Sequence, residues 1–565
     1  MPDRFATFAA LLDSLYYEGH EVVDSLVDEF RSVHRWGGRG PAAIRFHARV
    51  SQQIHRIEDR ADLHNAISIV LADVVDREGR DPSGAICPDV LGQLYGATVG
   101  SSVRTMLGSV GTHGTTRIRD AVTANELVRL VGLFAPGRVG ELLAPDLLEP
   151  PLPLVDAVRE RFGALDERVA AIVGVQHLMG STVTLFRALS AGSVPPHRVF
   201  LLGKPYSTNH AVMRYLESVC GFAVHPGSVE YRGAREYHEE ADVHIASLLS
   251  AAVASVSERR GRILLIDDGG RAIRMIHESS LGFAAERFAC VEQTRRGVRE
   301  LQGLSLRGPV VHVAESRVKL ERESPIIGES VSDEVARRLE ALEVAGIPVG
   351  RSSAILGFGA IGSAVASALR DRGQAIVVYD PDATKRDAAR AAGYAAVSRL
   401  ADALGAARVV IGCTGYAAMG LAEYELLQND SILISASSSD IEFSGWHLRA
   451  LSRASDAEHR ITDVFNLVHE RFRDRLLYLG DLDHPCHFLS VARVFGRRVF
   501  LVNGGFPINF TGGVDPIPPA KIQLTRALLF AAGVQSSRTE EPGLHPVDAA
   551  AQMLIERGWE GLGPA

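Results

Sequence analysis

Cysteine is scarce. Cys87, Cys220, Cys290, Cys413 and Cys486 are the five in 565 residues, odd in number and without paired spacing. That pattern excludes a disulfide framework and a cysteine-based zinc motif, and predicts reduced thiols in a cytoplasmic setting. Long apolar runs are missing too: none approaches the roughly 20 residues that a membrane-spanning helix needs. A charge excess is also lacking. The net charge of −8 and a pI near 6.2 offer no basic footprint for nucleic acid or an anionic membrane. The opening segment MPDRFATFAALLDSLYYEGHEVV carries acids within its apolar stretch and no cleavage signal, so it reads as an amphipathic helix. What is present is an ordinary globular composition, 46% hydrophobic and 23% charged, in a chain too long for one core and suited to two to four domains.

One stretch organises the rest. From Ser352 to Asp380 the sequence places a strand, a glycine turn, a helix, a second strand and an acid in the order that dinucleotide binding requires. Gly357 suits the tight turn, Gly359 lets backbone approach a pyrophosphate, and Gly362 lets helix pack on strand. Free N–H groups at Ala360 and Ile361 would face the phosphates. Asp380 ends the second strand, where a carboxylate accepts ribose hydroxyls and repels a 2′-phosphate, which favours NAD over NADP. A loop-and-helix reading competes with any lone glycine motif, but here both flanks fit.

Along the chain, residues 1–150 read as a helical extension closed by the proline-dense linker 144–153. His20, His34, His47, His55 and His64 form no metal pattern, and His484 and His487 in DHPCH lack a second ligand cluster. No metal is expected. From Ala171 helix and strand alternate, predicting an α/β fold with a doubly wound Rossmann-type NAD domain beside an α/β substrate domain. Boundaries fall at 151–345 for the substrate domain and 346–499 for the NAD domain, with 500–565 returning to the first. The run Arg262 to Gly270 is an apolar strand ending in two acids and two glycines, and ligands gather beyond such strand ends.

The ordered blocks VQHLMGSTVTL, KPYSTN, IDDGG, VEQTRRGVREL, VAESRVKLERES and SASSSDIEF resemble the adenosylhomocysteinase family from about Ala171 to about Leu528. The resemblance implies bound NAD⁺ that takes a hydride from a ribose hydroxyl and later returns it. It implies that Lys319 relays the hydroxyl proton, that Glu323 pairs with sugar hydroxyls, and that Asp268 and His177 handle protons in the same pocket. Thr294, Arg295, Arg296, Thr414, Gly415 and Asn503 fall at the family's cofactor positions. Bland alternatives stand beside each: a surface lysine–glutamate pair, turn chemistry at Asp268, a core histidine at 177.

Departures from the family alter the expected reaction. Gln293 replaces a carboxylate, Arg295 and Arg296 replace threonines, and Ser438 replaces a second histidine, so proton-transfer groups are lost. Met179, Ser181 and Phe506 stand where the family reads adenine. The expectation is an NAD-dependent enzyme acting on a small-molecule sugar or nucleoside by epimerisation, elimination or oxidation, and forming a homo-oligomer. A true hydrolase with a remodelled site and a non-catalytic NAD-binding regulator are the rivals. Arg295 and Arg296 either favour an anionic substrate or are surface charges.

Overall fold

The computed structural model describes residues 148–561, except 193, 232–235, 257–260, 279–281, 345–346, 455–485, 487–488, 511–514 and 516. The predicted helical extension, its five histidines, Cys87, His484 and His487 lie outside the described residues.

The first part runs α1 (Pro153–Phe162), β1 (Val169–Gln176), α2 (Gly180–Ser190), β2 (Val199–Gly203), α3 (His210–Ser218), β3 (Ala223–Val224), α4 (Tyr237–Ser255), β4 (Arg262–Asp267), α5 (Arg271–His277), β5 (Phe288–Glu292), α6 (Arg295–Leu301) and β6 (Pro309–His312). A π-helical stretch, Val318–Glu323, then feeds α7 (Ser324–Val344). The second part runs β7 (Ser352–Leu356), α8 (Ala360–Asp371), β8 (Ala375–Tyr379), α9 (Ala383–Ala391), β9 (Ala395–Val397), α10 (Leu400–Ala406), β10 (Val409–Gly412), β11 (Ser431–Ser435), α11 (Gly445–Ala454), β12 (Ser490–Val494) and β13 (Arg497–Leu501). The chain closes with α12 (Pro519–Arg538), β14 (Gly543–Pro546) and α13 (Ala549–Gly561).

Two seven-stranded sheets result, and their orders correspond. The first is β3-β2-β1-β4-β5-β6-β14, parallel throughout; the second is β9-β8-β7-β10-β11-β13-β12, parallel except for the β12–β13 hairpin. Each is doubly wound, with the order reversing between β1 and β4 in one and between β7 and β10 in the other. Crevices open at those two points. Strands covered on both faces must be apolar on both. Ile355, Val409, Ile411 and Ile432 pack into one core, while Ala354, Leu356, Val410 and Leu433 pack into the other, on the opposite face.

The final helix α12 belongs to the first sheet, packing on α1, α2, β4, β5 and β6. It is buried almost all round, from Gln523 through Val534, with Gln523, Thr525 and Arg526 as buried polar residues among the apolar ones. No described helix is long and apolar enough to cross a membrane.

Candidate active site

The strand ends meet across a cleft of about 680 Å³ lined by both sheets. From the second sheet come Gly357, Gly359, Ala360, Ile361, Asp380, Thr414 and Gly415; from the first come Lys204, Asp268, Thr294, Arg295, Arg296, Lys319 and Glu323. Thirteen of the sixteen residues named from sequence therefore share one wall system, the seven from the second sheet plus Asp268, Thr294, Arg295, Arg296, Lys319 and Glu323.

The glycine turn fits a dinucleotide. Gly357 has φ +93°, a conformation costly for residues with a Cβ, and a Cβ on Gly362 would sit 1.9 Å from the Gly357 carbonyl oxygen. At Gly359 a Cβ would meet nothing within 4 Å, so the missing side chain leaves open space beside the start of α8. Asp380 holds the turn: its Oδ2 accepts from the Phe358 N–H at 2.8 Å and its Oδ1 from the Asp382 N–H at 2.9 Å. Each carboxylate oxygen keeps a lone pair for a ribose hydroxyl. Across from it, Glu442 accepts from the Gly415 N–H at 2.7 Å and the Thr414 hydroxyl at 2.9 Å, and burial pushes its carboxyl up to about 7.

On the first-sheet side two lysine–carboxylate pairs face the cleft. Lys319 Nζ lies 3.1 Å from Glu323 Oε2, a contact made by one turn of the π-helical stretch. Single π turns recur at functional sites because they re-aim side chains. The second pair is Lys204 with Asp268, both buried, in direct contact. Burial alone would raise the Asp268 carboxyl, but the Lys204 ammonium and the His177 ring hold it well below the usual carboxylate range. Next to it Asp267 is raised to about 6 by burial, with one oxygen unpartnered, and Glu292, its neighbour across β5, is raised further. The dry strand ends make both carboxyls weaker acids than usual.

Three residues named from sequence do not line the cleft. His177 lies one layer behind Asp268: its Nε2 is 3.4 Å from Asp268 Oδ2, its Nδ1 2.6 Å from the Ser207 hydroxyl, and Phe510 stacks on its ring. Burial lowers its pKa to about 4. Gly362 is tucked beneath the turn. Asn503 is buried after β13 at φ +50°, and its amide donates to the Ile508 carbonyl at 3.5 Å.

Sequence reading passed over Lys204, Asp267, Glu292, Glu442 and His238. Lys204 stands in the segment KPYSTN, directly after an apolar strand, and that position was its one available signal. His238 sits on a helix with no local motif, and Glu442 stands in the block SASSSDIEF, where only Ser438 was singled out.

Over 392 residues the chain is 30% identical to the Mycobacterium tuberculosis protein called Uncharacterized protein Rv0104 (strain ATCC 25618 / H37Rv) and, equally, to Uncharacterized protein MT0113 of strain CDC 1551 / Oshkosh, covering 68% of this chain and 67% of each relative. The chain belongs to the Rv0104 family. In this member of the Rv0104 family, residues 352–439 also match the family described as NADP oxidoreductase coenzyme F420-dependent. Among solved structures, phosphoglycerate oxidoreductase from Vibrio cholerae o395 aligns with 13% identity and a TM-score of 0.28, over 50% of this chain and 81% of that one. D-lactate dehydrogenase from Escherichia coli aligns with 14% identity and a TM-score of 0.25, over 50% and 78%. The second sheet and its helices form a pyridine-nucleotide-binding Rossmann domain.

Proposed function

We propose that the chain is an NAD⁺-dependent enzyme that transiently oxidises a hydroxyl of a sugar or nucleoside, in an active site laid out like that of adenosylhomocysteinase. Its outcome is epimerisation, elimination or net oxidation, not homocysteine release. One observation carries this: the glycine turn and the two lysine–carboxylate pairs open into a single cleft. When bound, NAD⁺ supplies a hydride acceptor.

The chain's own residues supply the rest. Lys319, in its neutral amine form, takes the hydroxyl proton and becomes the ammonium that pairs with Glu323, while Glu323 also accepts hydrogen bonds from the sugar. Lys204 and His177 hold Asp268 below the usual carboxylate range, and Asp268 in turn fixes both beside the neighbouring carbon. Gln293, which also lines the cleft, offers a hydrogen bond where a carboxylate would have taken a proton. Asp380 selects NAD over NADP by charge.

Aromatic packing favours a bare sugar over a nucleoside. Phe506 stacks on Tyr206 at 5.1 Å, and Phe510 covers His177 at 4.4 Å, so the region beyond Asp268 is filled. Ser181 is turned into a buried bond with Asp515 and faces no base.

Denatured protein should release NAD, and at least one member of a sugar and nucleoside panel should generate the absorbance of reduced cofactor in the intact protein. Adenosine with homocysteine should give no condensation. A protein that holds NAD yet is reduced by no member is a regulator, and the enzymatic reading fails.

A further inference from the structure

The first-sheet wall of the cleft carries a feature that hydroxyl oxidation does not use. His238 stands in the first turn of α4 and lines the cleft, yet both its ring nitrogens are closed to solvent and neither has a hydrogen-bond partner. A buried imidazole keeps one donor and one acceptor, and leaving both unmade costs free energy unless a ligand supplies the partners. The ring is flanked by cations. Burial first, then the charges of Arg296, Arg271 and Lys204, hold it neutral.

Those cations have capacity to spare. Arg296 spends its Nε on Glu300 at 2.8 Å, leaving its two terminal nitrogens available, and Arg271 spends Nε and one terminal nitrogen on Asp242. The helix start itself adds little positive character, since Glu236 at its N-cap and Glu239 and Glu240 in its first turn offset the dipole. The unpaired imidazole and the guanidinium donors point to the same chemistry.

We infer that His238, Arg296 and Arg271, at the start of α4, bind an oxyanionic group, phosphate or carboxylate, carried by the substrate. This rests on the oxidation reading for the term substrate, but not for the site. An oxyanion there accepts from the Arg296 terminal nitrogens and from the imidazole N–H, which completes the orphaned donors in a dry setting where charge-assisted bonds are strong. The hydroxyl to be oxidised is thereby held toward Lys319 on the same cleft.

Full-length protein saturated with NAD⁺, so that the glycine turn is filled, is titrated calorimetrically with inorganic phosphate, ribose 5-phosphate, ribonate and ribose. At least one of the two anionic sugars should bind about tenfold tighter than ribose. That gap, and binding of inorganic phosphate, should shrink to about threefold or less in both His238→Phe and Arg296→Gln, with NAD⁺ affinity kept. Two variants on different elements guard against one misfolding. Tighter binding of ribose 5-phosphate alone assigns a phosphate, and of ribonate as well assigns any oxyanion. Equal affinities in the parent, or a gap that survives both substitutions, overturn the site. If the gap appears but no sugar reduces the cofactor, the oxidation reading falls and the anion site stands; reduction by ribose without any gap gives the reverse.

Discussion

A buried carboxylate keeps its charge when partners compensate it, and Asp268 has Lys204 and His177. Removing the cation strands the anion, so Lys204→Met should cost about 3–5 kcal/mol, read as a lower Tm. Asp268→Asn in the same background should restore much of it, a coupling that a double-mutant cycle measures. Lys319→Ala should keep NAD content in place and slow cofactor reduction about 10²–10⁴-fold, with some loss of Tm from the stranded Glu323. Two buried groups give the stability opposite pH slopes. His177 has a folded value near 4 against about 6.5 unfolded, so between those values the unfolded chain binds the extra proton. Stability it leaves intact above pH 6.5 is lost as pH falls toward 4, up to roughly 3 kcal/mol. Glu442, raised to about 7, is protonated in the folded chain where the unfolded one has ionised, so stability falls as pH rises from about 4.5 through 7. Urea unfolding across pH should show the first slope flattened in His177→Asn and the second in Glu442→Gln. Asp268 was readable as an acid at the end of an apolar strand; its pairing with Lys204 was not, since 64 residues separate the two and only folding joins them.

At the scale of elements, local signals were readable and long-range ones were not. The glycine motif spelled out β7, α8 and β8 because strand, turn and helix are each fixed by neighbours a few residues apart. By contrast β14 is the four residues Gly543–Pro546, with no apolar alternation, and it becomes a strand only by pairing with β6 more than two hundred residues earlier. The π-helical stretch at Lys319 leaves no mark in composition; the four-residue spacing to Glu323 brings the two side chains together only once this segment turns. The motif's two packing modes predict a contrast. Gly362→Ala drives a Cβ into the Gly357 carbonyl, so it should destabilise the apo protein by about 1–3 kcal/mol and abolish NAD retention. Gly359→Ala has open space around its Cβ, so apo Tm should hold while NAD binding weakens, because the methyl occupies the approach of the pyrophosphate. Equal loss of Tm in both would refute the division of roles.

At the scale of the molecule, both sheets repeat one strand order and face each other at their reversal points, which is why an order of motifs in the sequence foretold a shared cleft. What the sequence could not foretell is the strut behind that cleft. Arg449, almost wholly buried on α11, contacts the Tyr231 hydroxyl of the first sheet's part, the Gly504 carbonyl, and Asp440 at 2.7 Å. Tyr231 also donates to Asp440 at 3.3 Å, so a buried ion pair of the second part holds one phenol of the first. Arginine, aspartate and tyrosine at positions 449, 440 and 231 share no sequence pattern; their meeting follows from the packing of the two parts. Arg449→Met should leave Asp440 buried without its cation and cost about 3–5 kcal/mol. Because its bond to Tyr231 crosses between the two parts, melting should separate into two transitions, whereas Arg390→Met, which breaks an exposed pair with Asp387, should cost under about 1 kcal/mol and keep a single one. Added NAD⁺ stabilises only the folded second part, by about 2.7 kcal/mol at a hundred times its Kd, so in Arg449→Met it should move one of the two transitions and leave the other. If NAD⁺ moves both equally, the strut is not what couples the halves.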